Sequence, residues 1–76
     1  MILSSKWDYR ICSRTTTQGE TWHGIYEVYS DTEGNPQHCS ETEVAPFGDT
    51  PEELIEDVKR MAEAAGKPVL RWEDFA

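Results

Sequence analysis

Cysteine, histidine and basic side chains are all scarce in this chain. Cys12, His23, His38 and Cys39 are its only thiol and imidazole groups. No CxxC or HxxxH spacing joins them, so no metal site is expected. His38 and Cys39 are neighbours on a presumed strand and point to opposite faces. Neither cysteine sits at a helix start or beside a cationic cluster that would lower its pKa for nucleophilic work. A strand order of one-two-three holds the two cysteines apart, and no disulfide is expected between them. Seven Lys and Arg stand against fifteen Asp and Glu, a formal net charge of −8. Residues 1–30 balance, with Lys6, Arg10 and Arg14 against Asp8, Glu20 and Glu27, so all of the excess falls from Asp31 onward. Without a basic stripe the chain is not expected to bind nucleic acid or an anionic membrane. No apolar run approaches a membrane span. Residues 1–6 lack the basic and apolar regions of a signal peptide, so a cytoplasmic location is expected.

What the chain does hold is aromatic residues and one well-marked helix. Its length of 76 residues allows a single domain, and three Trp, three Tyr and two Phe supply a core. A core of this size contributes little net stability, so support from a second chain is expected. Thr50 precedes Pro51, which suits the first helical position, and Glu53 completes a capping box with Thr50. Leu54, Val58, Met61, Ala62 and Ala65 then recur along one face, with Ile55 beside them. Glu52, Glu53, Glu56 and Asp57 precede Lys59 and Arg60, the order the helix dipole favours. Gly66 suits a left-handed C-terminal cap, and Pro68 prevents continuation. The helix is therefore placed at 51–65.

Three strands precede it. Residues 7–13 alternate, with Trp7, Tyr9 and Ile11 on one face and Asp8, Arg10 and Cys12 on the other. Residues 22–30 are apolar on both faces, as a central strand requires; Gly24 among them suggests a bulge or a close backbone approach. The turn cluster Asp31-Thr32-Glu33-Gly34-Asn35-Pro36 leads into a more polar edge strand at 37–44, where Glu41 and Glu43 discourage stray pairing. Phe47 is expected beneath the helix. Residues 1–5 read as a loose tail, and 67–76 as an extended segment able to add a short strand. The fold class is α+β: a three-stranded antiparallel meander with one helix across one face.

One helix leaves the second face for the C-terminal segment or for another chain. Trp22, Tyr26, Tyr29 and Trp72 are the candidate anchors of a protein-binding or homodimer surface, since aromatic residues dominate such interfaces. A polar alternative groups Glu27, His23 and Arg10. Glu27 stands inside the most apolar strand, where a desolvated carboxylate can act as an acid or hold a small molecule. Its ordinary role is a cross-strand partner for Arg10 or Arg14. A non-enzymatic interaction domain, with no cofactor, is the expected function.

Residues 26–44, followed by Gly48-Asp49-Thr50-Pro51-Glu52-Glu53-Leu54, resemble the strand, strand, helix core of HicB-type antitoxins. The resemblance implies an inhibitor of a basic ribonuclease. HicB antitoxins usually carry a further DNA-binding segment with no counterpart here, so autoregulation is not expected. From Trp7 on, the chain is also similar to a set of small bacterial proteins without an assigned activity. Those share the features Trp7-x-Tyr9-Arg10, Ile25-x-Glu27-Val28-Tyr29-x-Asp31 and Lys67-Pro68-Val69-Leu70.

Overall fold

The computed structural model describes residues 6–75, and the expected tail at 1–5 lies outside them. Strand β1 runs over Lys6–Thr15 and β2 over Thr21–Ser30, longer than the alternation alone marks. They pair antiparallel in unbroken register from Lys6↔Ser30 to Thr15↔Thr21. Gly24 therefore sits in a regular ladder without a bulge. Its lack of a side chain serves a close approach instead, because a Cβ there would meet the Glu43 side chain. Thr16 folds the connecting turn: its hydroxyl accepts from the N–H groups of Gln18 and Glu20. Asp31 does the same in the next turn, accepting from Glu33 and Asn35, while Gly34 takes the left-handed conformation that turn demands (φ +87).

Strand β3 covers only Pro36–Cys39, not 37–44. Side-chain chemistry ends it. The Ser40 hydroxyl accepts the Glu27 N–H that a strand carbonyl would have taken and donates to Thr42 O, and the Arg14 guanidinium binds Glu41 O. The segment still follows β2 through Ser40 N–H to Glu27 O and Val44 N–H to Ile25 O.

Helix α1 spans Pro51–Glu63 and tightens into a 3-10 turn at Ala64–Gly66. Thr50 Oγ1 accepts from Glu53 N–H at 3.1 Å, but the Glu53 carboxylate reaches past Thr50 to Asp49 N–H at 3.0 Å. Gly66 is not left-handed; Lys67 N–H closes the end on Ala64 O. The C-terminal segment adds β4, Leu70–Arg71, which pairs parallel with β1 at Cys12↔Leu70, and a last 3-10 turn at Trp72–Phe75. The sheet order is β3-β2-β1-β4.

Two small cores lie on the two faces. On one, Cys12, Tyr26 and Val28 are fully buried under Cys39, Leu70 and Trp72. This chain's own C-terminal segment covers the face on which a second chain was the alternative. Trp72 anchors the cover, with Nε1 donating to Ser40 O at 3.1 Å and the Arg14 guanidinium 3.7 Å from its ring centre. Burial pushes the Cys12 thiol up to about 11, with the neighbouring Cys39 thiol adding to it.

On the other face Tyr9 packs with Met61 and Ala64 of the helical segment. Here the helix is rolled relative to its apolar stripe. Asp57 accepts from the Tyr9 hydroxyl at 2.5 Å and from Phe47 N–H at 2.9 Å, and Arg60 lies 4.8 Å from the Trp7 ring centre. These polar contacts turn the Asp57–Met61–Ala64 side toward the sheet. Leu54, Ile55 and Val58, expected to face the core, are exposed, and Phe47 is 73% exposed rather than tucked beneath the helix.

The Tyr9–Asp57 bond has a pH signature. Burial, then the Asp57 hydrogen bond, raises the Tyr9 hydroxyl from 10.0 to about 12. A raised value means a stabilisation fully present below pH 10 and lost as pH climbs through about 12. The thermal midpoint of the wild type is therefore expected to fall more steeply over that range than that of Tyr9→Phe. Parallel slopes in alkaline melts would refute it. Asp57 is shifted the other way, lowered by the same bond and by Phe47 N–H. Its contribution is present above the ordinary aspartate value and fades as acid protonates it.

Candidate functional site

The four aromatic candidates do not form one surface. Tyr26 is 0% exposed and serves the core, so it cannot anchor a partner. Trp72 is half-buried as the cover of the same face. Trp22 lies on that face too, opposite Arg14, and its Nε1 donates to Glu43 at 2.7 Å. Tyr29 belongs to the helix side, paired with Trp7 and donating its hydroxyl to Glu27 at 3.1 Å.

The polar candidates are also dispersed. Strand alternation puts His23 and Glu27 on the helix side and Arg10 on the other. Arg10 donates to Pro68 O at 2.6 Å and Arg14 to Glu41 O, so neither is the partner of Glu27 expected across the ladder. Glu27 stands opposite Tyr9 instead. Among the described residues no three His, Cys, Asp or Glu are grouped to hold a metal, and no helix is long and apolar enough to cross a membrane.

One pair on the covered face is left short of partners. Arg10 and Tyr26 face each other across β1 and β2, and both Arg10 Nε and the Tyr26 hydroxyl are buried without a hydrogen-bond partner among the described residues. An unpaired buried hydroxyl costs stability. Tyr26→Phe is thus expected to leave the domain as stable or up to about 1 kcal/mol more stable in urea melts. A loss of that size would mean the hydroxyl is satisfied after all.

The surface that the side chains do assemble lies beside α1. An open groove of about 630 Å³ runs between the helix and the sheet, floored by Ile11, Ile25, Val44, Pro46, Val58 and Met61. Ala62 and Ala65 line its helical wall, and His23 and Glu43 stand among its polar residues. Beyond the groove the apolar surface continues over Leu54 and Ile55, which is 53% exposed. The lining is almost wholly hydrocarbon, with no converging donors or acceptors to orient a reacting group. On the helix's far side, Phe47 stands among Glu52, Glu53, Glu56, Asp57 and Arg60.

Periodicity located the stripe that forms this surface but assigned it to the core. The signal that could have found it is its width. Leu54, Ile55, Val58, Met61, Ala62 and Ala65 cover more of the helix than one sheet contact needs, while a hydroxyl donor for Asp57 and a ring for Arg60 wait on β1.

Comparison with models of known protein families, with curated proteins and with solved structures finds no match. The likeness to HicB-type antitoxins rests on the quoted residues alone.

Proposed function

We propose that this chain is a small non-enzymatic protein-interaction domain whose working surface is the exposed side of α1 and the groove beside it. One observation carries the proposal: Leu54 and Ile55 are exposed on the helix beside Val58, which is itself exposed and lines the groove, although the buried cluster on the opposite face of the sheet lies under the chain's own C-terminal segment. A contiguous patch of this kind on a small domain marks a site of association. His23, Glu27 and Arg10 do not converge, which favours binding over catalysis. The test is capture by tagged chain, from cells that also express untagged copies. Wild type and Val69→Asp, an exposed apolar residue outside the groove lining, are expected to retain the same bound protein. Ile55→Asp is expected to lose it. Equal capture by all three would overturn the proposal.

A second reading follows from the far side of the helix. Phe47, 73% exposed and set among four carboxylates and the Arg60 guanidinium, still a net acidic surround, suits a basic protein with an apolar pocket, the kind of target the antitoxin likeness implies. Co-purification of a small basic protein that Phe47→Ala releases would favour it, and retention by that variant would remove it.

A further inference from the structure

We infer that the occupant of the groove-side face of α1 is a second copy of this chain, related by a two-fold axis that sets the two helices antiparallel. The inference rests on the interaction surface proposed above and names its partner. Pro51, Leu54, Val58, Met61 and Ala65 are spaced three, four, three and four residues apart, the seam of a helix that packs along another helix. Met61 is already buried against Tyr9, but Leu54 and Val58 are not, and Ile55 lies beside them. The fold thus uses one edge of the seam and leaves the rest open.

Charge decides the orientation. Glu52 and Lys59 stand seven residues apart on the outer flank of the seam beyond Ile55, where Glu52 also borders the Phe47 side. In a parallel pair each would face its own copy, like charge against like. In an antiparallel pair with the axis near Ile55, Glu52 of each protomer faces Lys59 of the other, twice over. An axis there also sets Leu54 close to Val58 of the other copy and brings the two copies of Ile55 near the centre. A two-fold interface must complement itself in this way. In the single chain, Lys59 has, among the described residues, a loose contact with Glu56, at 4.0 Å between exposed side chains. Such exposed pairs add little affinity and act mainly on register and partner choice. The affinity comes from the seam and from the groove walls it closes. A stable interface takes about 800 Å² from each partner, so the helix seam, the groove rim and the 44–46 segment must all take part.

Sedimentation of the full chain tests this. Wild type is expected to be a dimer at about 100 µM, and Ile55→Asp a monomer with unchanged circular dichroism, its dissociation constant raised at least about a hundredfold. Glu52→Lys and Lys59→Glu are each expected to dimerise more weakly alone, with two like-charge pairs in place of two opposite ones. Mixed in equal amounts they form a heterodimer, because each then supplies the charge the other lacks. Both positions are exposed, so the variants are expected to fold, and circular dichroism checks it. A monomeric wild type, or a dimer indifferent to Ile55→Asp, overturns the second copy. A dimer whose charge variants fail to recover on mixing overturns the antiparallel arrangement. A monomer that still captures another protein through Ile55 refutes this inference while sparing the interaction domain; one whose captures ignore Ile55 refutes both.

Discussion

Trp72→Ala is expected to cost about 3 kcal/mol, most of the net stability of a domain this small. The ring covers Cys12, Tyr26 and Val28, all 0% exposed, and among the described residues it is the aromatic side chain packed over that buried cluster, beside Cys39 and Leu70. Its removal leaves a cavity over the central strand and withdraws the surface on which Arg14 is stacked. The Nε1–H to Ser40 O bond is a smaller part, so Trp72→Phe should lose only about 1 kcal/mol. Urea melts followed by far-ultraviolet circular dichroism measure both. Thiol labelling supplies an independent readout. Cys12, shielded and held protonated in the wild type, should react with a disulfide reagent in native buffer once Trp72 is gone. A Trp72→Ala protein as stable as wild type, with Cys12 still unreactive, would mean that the C-terminal segment does not close the face.

Gly48→Ala should be nearly as severe, at about 2–4 kcal/mol. The strain is not conformational, since Gly48 is not among the left-handed glycines. It is a matter of room. A Cβ at Gly48 would run into the backbone of the helix's first turn, meeting Leu54 N and, at 2.6 Å, the Glu53 carbonyl carbon. Backbone cannot swing aside as a side chain can, so the 48–50 segment must lift. That breaks Asp49 N–H to the Glu53 carboxylate and Glu53 N–H to Thr50 Oγ1 together. Gly66→Ala is the contrast: a Cβ there meets nothing within 4 Å. It should be neutral or raise the thermal midpoint slightly, by narrowing the unfolded ensemble. If both glycines tolerate alanine equally, the close approach at Gly48 is not real.

These two glycines also mark how far the sequence could be read. The start of α1 was legible because Thr50, Pro51 and Glu53 act locally, each through a bond or torsion within four residues. The β1–β2 hairpin was legible because alternation and turn chemistry are local as well. Gly66 was read as a left-handed cap from its place after the helix, but the chain closed the helix with a 3-10 turn that needs no such residue. The roll of the helix was not legible. It is set by Tyr9, Asp57 and Arg60, whose partners lie nearly fifty residues apart in sequence, and a periodicity sees only the apolar members of a face. The shortening of β3 escaped for a related reason. Whether the Ser40 hydroxyl takes the Glu27 N–H depends on what lies alongside it, and composition does not say.

The candidate site followed the same division. Aromatic content and an acidic balance pointed to binding rather than chemistry, but the anchors named for being aromatic included Tyr26 and Trp72, which the covered core had already claimed. Leu54, Ile55 and Val58 were left outside because polar contacts won the side of the helix that faces β1. Surface and core were thus exchanged between two elements that were both placed correctly.

The order of synthesis gives the β1–β4 pairing one more consequence. The hairpin and α1 are complete while residues 70–75 are still to be joined, and the parallel rung at Cys12↔Leu70 can form only after they emerge. Until then a ribosome-bound chain shows Cys12, Tyr26 and Val28 to its surroundings. A pause in translation just before Leu70 would therefore prolong the interval in which the nascent domain is open to chaperones, oxidants or its own neighbours on the same message.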